Sequence, residues 1–240
     1  MMKLDILVMA VHPDDAELSC SGTIVSEIAK GKKVGIVDFT RGELGTRGTP
    51  EIRLQESAEA TKIMGLSARE NLNFRDAFFK NDENHQLKLI EVIRRYQPEI
   101  VLANAIDDRH PDHGRAAALA KEACFYSGLR MIKTTDKNGT HQAAWRPKAL
   151  YHYIQDKYIE PDFVVDISAH WEVKEAAIRA FKSQFYDPNS TEPMSHISSP
   201  EFLKFIESRC REMGHKIGAT YGEGFTKTKM IGVNSVFDIR

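Results

Sequence analysis

Cysteine is scarce in this chain. The three thiols, Cys20, Cys124 and Cys210, are widely separated and odd in number, which excludes a disulfide framework and points to reduced thiols. Cys20 and Cys124 fall in predicted helices, where a small thiol packs as a hydrophobe. Net charge is also nearly absent: 33 Lys and Arg against 34 Asp and Glu leave −1, so neither nucleic acid nor an anionic membrane is expected as a partner. The N-terminal apolar stretch is too short to span a bilayer, and no signal-peptide cleavage region follows it. A cytoplasmic protein is therefore expected. Internal repeats and low-complexity tracts are missing, and no G-x-G-x-x-G follows the first apolar run, which weakens a dinucleotide-binding reading.

What the chain does have is apolar mass and alternation. With 42% hydrophobic residues in 240, residues 1–240 suffice for one α/β domain with a substantial core. Strands are expected at 4–10, 33–40, 71–74, 99–104, 150–155 and 163–167, and helices at 17–30, 50–65, 86–96, 114–126, 169–185 and 201–213. Such alternation predicts a Rossmann-like, doubly wound, mostly parallel sheet flanked by helices. The Pro/Ser/Asn-rich segment 187–199 is a candidate lid or oligomer contact, although such loops are commonly plain connections.

Chemistry concentrates in two places. His12-Pro13-Asp14-Asp15-Ala16-Glu17 crowds an imidazole and adjacent carboxylates into a turn after the first strand. Asp107-Asp108-Arg109-His110-Pro111-Asp112-His113 does the same after the strand at 99–104. In open α/β sheets that carboxyl edge is where ligands bind. Catalytic zinc takes three protein ligands from His and Asp/Glu and keeps a position for water. His12, Asp15 and His113 make such a set, for one Zn²⁺ per chain, and leave Asp14 and His110 for proton transfer and charge stabilisation. The plain alternative is helix capping, but capping explains neither the doubled acids nor three histidines in equivalent loops.

The two motifs together resemble the LmbE-like, or PIG-L, family of zinc-dependent N-acetylglucosamine deacetylases. Thr40-Arg41-Gly42-Glu43, the pair Arg53 and Glu56, and Tyr221-Gly222-Glu223-Gly224-Phe225 extend the resemblance along the chain. Within the family the likeness is greatest to the deacetylases of bacillithiol biosynthesis, which act on N-acetylglucosaminyl malate, on the strength of residues 108–113 and Ser183-Gln184-Phe185. The resemblance implies an LmbE-like fold and a small N-acetylglucosaminyl conjugate as substrate, with a chitooligosaccharide as the alternative. It also implies a homo-oligomer, with a hexamer as the candidate assembly.

Residue by residue, the resemblance makes Asp14 the general base and His110 a second catalytic group, an imidazolium stabilising the oxyanion. Asp112 is either an orienter of one histidine or a turn residue. Arg53 becomes a substrate contact; its plain reading is a surface salt bridge with Glu56. Arg109, beside the cluster, suits a carboxylate such as malate offers, or else pairs with Asp107 or Asp108. Some relatives carry a tyrosine where this chain has Phe202, and a phenyl ring has no donor. Two rival classes stand beside this reading: a zinc phosphoesterase, which normally needs more ligands than one triad, and a non-catalytic sugar-binding module on the same fold.

Overall fold

The computed structural model describes residues 2–238, and its first element is the expected apolar strand, β1 (Ile6–Ala10), buried along its whole length. Alternate side chains of β1 leave on opposite faces and feed separate cores. Leu7 and Met9 pack with Phe39, Leu89, Ile93 and Leu119, while Ile6, Val8 and Ala10 pack with Ile24, Met64, Ile178 and Ile206. A strand buried on both sides needs a continuous apolar run, and residues 6–10 supply one.

Four further strands run parallel with β1: β2 (Val34–Thr40), β3 (Ala68–Phe74), β4 (Ile100–Ala103) and β5 (Ala149–Tyr153). Antiparallel to β5 lies β7 (Gly222–Lys227), which also pairs antiparallel with the edge strand β6 (Phe163–Asp166). Across the sheet the order is β3-β2-β1-β4-β5-β7-β6. The chain thus proceeds outward from β1 in one direction, then returns to start again at β4 on its other side. Between β1 and β4 lies the point where strand order reverses, which is where such sheets open a crevice for ligands.

The helices are α1 (Asp15–Ala29), α2 (Pro50–Met64), α3 (Glu83–Tyr96), α4 (Pro111–Tyr126), α5 (Trp171–Arg179) and α6 (Phe202–Lys216). Local chemistry fixes their ends. Thr49 caps α2 by accepting the Ile52 amide, with Pro50 in the first turn and Gly65 at φ 74° closing it. Among the described residues no helix is long and apolar enough to cross a membrane, and all three cysteines are buried and free.

Three elements depart from expectation. β3 begins at Ala68 rather than at 71; its residues are largely polar and half-buried, because an edge strand need not carry a continuous apolar run. α5 stops at Arg179 instead of reaching 185, and the turns that follow carry Ser183 to Glu56 and Gln184 to Arg53 of α2. β7 lies outside the expected strands, and its two glycines are residues that strands generally disfavour. Gly222 is there for close packing: a Cβ would meet Val164 at 2.6 Å and the Gly214 amide at 2.8 Å.

A buried ion cluster ties α1 to the sheet beneath it. Arg69 of β3 donates to Asp38 Oδ2 at 2.8 Å and Oδ1 at 3.0 Å, and its Nη1 bonds Glu17 of α1. Removing the cation would strand two buried carboxylates, which costs more than the pair itself contributes. Arg69→Met should therefore lower the unfolding free energy by about 3–5 kcal/mol in urea at pH 7, and by much less when Glu17→Gln and Asp38→Asn accompany it. A loss below about 1 kcal/mol in the single variant would contradict this role for the cluster.

Candidate active site

The turn after β1 and the turn after β4 meet at the reversal point, which brings the two sequence clusters together. His12 and His113 have ring centroids 5.8 Å apart, and His12 and His110 4.9 Å. All seven expected residues, His12, Asp14, Asp15, Arg53, Arg109, His110 and His113, line one cavity of about 340 Å³.

Capping does not account for the carboxylates. Asp14 occupies the N-cap position of α1 but makes no side-chain capping bond, and its backbone sits at φ 117°. That positive φ strains any residue with a side chain, by about 1–3 kcal/mol, and Asp tolerates it better than most. Asp15 is held on both oxygens: Oδ2 accepts the His12 amide at 3.0 Å and Asn104 Nδ2 at 3.1 Å, and Oδ1 accepts Gln155 Nε2 at 3.1 Å.

Two groups of side chains have the proximity to bind a cation: His12, Asp15 and His113, and His12, His110 and Asp112. Their second partners decide between them. In the first group, His113 Nε2 lies 3.1 Å from Asp15 Oδ1 and His12 Nδ1 3.6 Å from Asp15 Oδ2, close to the roughly 3.3 Å separation that tetrahedral bonds of about 2.0–2.1 Å impose. The other nitrogen of each ring is bound to a carboxylate, His113 Nδ1 to Asp108 at 2.6 Å and His12 Nε2 to Asp76 at 3.0 Å. That is the outer arrangement that fixes a metal-binding histidine. In the second group Asp112 is already engaged by the Ala77 amide at 3.0 Å and Arg115 at 2.7 Å, and His110 Nδ1 accepts the Asp112 amide at 3.3 Å. The first group is the one in which each ring turns one nitrogen towards the shared carboxylate while a second carboxylate holds the other.

Electrostatics follow the same division. Burial opposes ionisation of Asp15, yet the His113 and His12 rings hold it well below the usual carboxylate range. Although burial works against charged rings here, neighbouring carboxylates raise His12, and raise His113 to about 9. Burial pushes the Asp14 carboxyl up to about 7, against the pull of Arg53. Burial and the two neighbouring histidines lower His110. His110 Nδ1 accepts the Asp112 amide at 3.3 Å, which leaves Nε2 as the ring nitrogen available to a substrate.

Neither arginine makes the ion pair that its plain reading offered. Arg53 is 6% exposed and bonds Gln184 Oε1, while Glu56 accepts the Ser183 amide at 2.6 Å and hydroxyl at 2.8 Å, so the two form no surface salt bridge. A Cβ at Gly42 or Gly45 would collide with the Arg53 guanidinium, so both glycines are needed for it to reach the cavity. Arg109 pairs with Asp156 at 2.9 Å rather than with Asp107 or Asp108. Asp107 bonds Lys157, and Asp108 serves His113.

Sequence reasoning missed Asp76, Gln155 and the function of Asp108. Asp76 follows β3 at the same sheet edge as His12, which was a usable signal. Its position is set by Glu43, which accepts the Asp76 amide at 2.9 Å. Gln155, just past β5, carried no signal. Phe202 lines the cavity and packs on His196 at 5.5 Å. The segment 187–199 borders the mouth: Glu192 accepts the Gly48 amide at 3.0 Å on one side, and His196 Nε2 lies 3.0 Å from Asp156 on the other.

Comparison with known proteins agrees with this geometry. The PIG-L family model, described as GlcNAc-PI de-N-acetylase, matches residues 7–124, the span holding both clusters. The conserved protein TT1542 from Thermus thermophilus has a similar structure, with TM-score 0.84 and 38% identity over 96% of this chain and 98% of that one. A diacetylchitobiose deacetylase from Thermococcus kodakarensis is 29% identical, covering 75% of this chain and 70% of its own. A 4-oxalmesaconate hydratase from Pseudomonas putida is 27% identical (74% and 73%). A probable N-acetyl-alpha-D-glucosaminyl L-malate deacetylase 2 from Bacillus subtilis is also 27% identical (76% and 84%).

The two candidate ligand sets make opposite demands. Asp15→Ala and His113→Ala should lose tight zinc binding, whereas His110→Ala should retain it, as judged by metal content after dialysis. Zinc held by Asp15→Ala and lost from His110→Ala would assign the ion to the other set.

Proposed function

The chain belongs to the PIG-L family, and from that premise we propose that it hydrolyses the N-acetyl group of an N-acetylglucosaminyl conjugate, with zinc held by His12, Asp15 and His113. The observation that carries this reading is Asp14. It is a buried carboxyl beside a ligand, released from capping, held in a strained backbone and raised to about 7, which suits a group that must take a proton and give it back near neutrality.

Zinc at this site would supply Lewis acidity to water and to the acetyl carbonyl. Asp14 accepts the proton of the attacking water as the new C–O bond forms, and returns it to the nitrogen as the C–N bond breaks, so acetate and a free amine leave. His110 donates from Nε2 to the oxyanion that develops on the carbonyl. Arg53 meets the same oxygen or a sugar hydroxyl. Asp76, Asp108 and Asp112 keep the rings in place.

For the conjugate itself we favour N-acetylglucosaminyl L-malate. Arg109 lies at the cavity with only its Nε spent on Asp156 in a described bond, and a relative is named for that substrate. Diacetylchitobiose is the neutral alternative. A hydratase among the relatives makes water addition to a double bond the competing chemistry, and it would release neither acetate nor amine.

Asp14→Asn is a clean test, because Asn is nearly isosteric and also tolerates positive φ. It should retain zinc and lower kcat by about 10²–10⁴ on N-acetylglucosaminyl malate. A zinc-replete variant with near-normal kcat would remove Asp14 from proton transfer. Arg109→Ala should lower kcat/KM for the malate conjugate by roughly ten- to hundredfold, with a much smaller effect on diacetylchitobiose. Equal losses on both would make Arg109 a structural partner of Asp156.

A further inference from the structure

Midway along α1 the backbone is bonded sideways. In a regular helix the amides of Gly22 and Thr23 bond the carbonyls of Leu18 and Ser19. Here they donate to Glu223 of β7, to Oε1 at 3.0 Å and Oε2 at 2.7 Å, and Thr23 Oγ1 adds a bond to Oε2 at 2.7 Å. One turn earlier, the carbonyls of Glu17 and Leu18 accept from Lys174 Nζ at 3.1 and 3.0 Å. Arg209 of α6 also donates to the Leu18 carbonyl, at 3.1 Å. Lys174 Nζ and Glu223 Oε1 are themselves 2.8 Å apart.

Within one continuous helix, carbonyls thus face a cation and amides face an anion, each with the sign its backbone dipole favours. The pair is costly, because Lys174 is 0% and Glu223 3% exposed, and an apolar replacement of a buried ion pair is often neutral or stabilising. Its use is therefore to be sought in what it holds. The start of α1, just before these bonds, carries Asp15, with Asp14 at the N-cap. Arg209 joins the Leu18 carbonyl to the Gln155 carbonyl, and the Gln155 side chain bonds Asp15 Oδ1.

We propose that the Lys174–Glu223 pair positions the metal ligand Asp15, by anchoring the first turns of α1 to α5 and β7. This rests on the reading of His12, Asp15 and His113 as the zinc ligands. Lys174 and Glu223 are positioning residues: neither lines the cavity.

The test is zinc affinity of the metal-free full chain, by competition with a chromophoric chelator, alongside its melting temperature. Glu223→Gln keeps the shape and one acceptor, and should bind zinc about 10- to 100-fold more weakly, the usual effect of disturbing a ligand's support, with native circular dichroism. If that variant does not fold, Thr23→Val, which leaves the ion pair intact and removes one bond to Glu223, should weaken zinc by about three- to tenfold. Zinc affinity within twofold of wild type in the folded variant would overturn the proposal, whatever the melting temperature does. Asp15→Ala separates the two failures: if it keeps zinc, the ligand assignment is wrong, and if it loses zinc while Glu223→Gln keeps it, only the positioning role is wrong.

Discussion

Two oxygen atoms of Asp15 organise this protein's functional end. They accept from a backbone amide, from Asn104 after β4 and from Gln155 after β5, and they face a nitrogen of His12 and of His113. A carboxylate so placed could not be buried at 4% exposure without these partners, because an unpaired buried charge is too expensive. Three strand ends must therefore meet at one point, and the reversal of strand order between β1 and β4 is what lets them do so.

Around that centre the carboxylates divide by surroundings rather than by type. Asp76, Asp108 and Asp112 accept protons from rings and backbone, and all three are held below their ordinary range despite burial. Asp14, whose side chain caps nothing, moves the other way under burial. The same residue type thus supports a ring when it is bonded, and is the proposed proton carrier where its side chain is left free. The strained φ of Asp14 is consistent with a geometry paid for by the packing around it.

Much of this was legible in the chain, for identifiable reasons. The run at 6–10 is apolar because both faces of β1 are covered, and motifs immediately after apolar runs mark a sheet edge whatever the exact ends of the strands. The parts that were not legible depend on partners distant in sequence. Gln155 is an ordinary amide until β5 sets it beside Asp15. Arg53 and Glu56 look like a helix-surface pair until the early end of α5 delivers Ser183 and Gln184 to them. Glu223 sits in a Gly-flanked stretch outside the expected strands, whereas those glycines let α6 pack closely on a strand. The bond between His110 Nδ1 and a backbone amide two residues on is likewise not specified by residue type alone.

The central claim is that this edge of the sheet directs water at an amide carbonyl. Turnover of N-acetylglucosaminyl malate by the zinc-loaded protein in ¹⁸O-labelled water, followed by mass spectrometry of both products, tests it most directly. The account predicts one ¹⁸O atom in the released acetate, none in the amino sugar, and one free amine per acetate. An intact acetamide whose mass has grown by one labelled water would contradict it and place the chemistry with hydration; an unchanged conjugate from protein shown to hold zinc would contradict the proposed substrate.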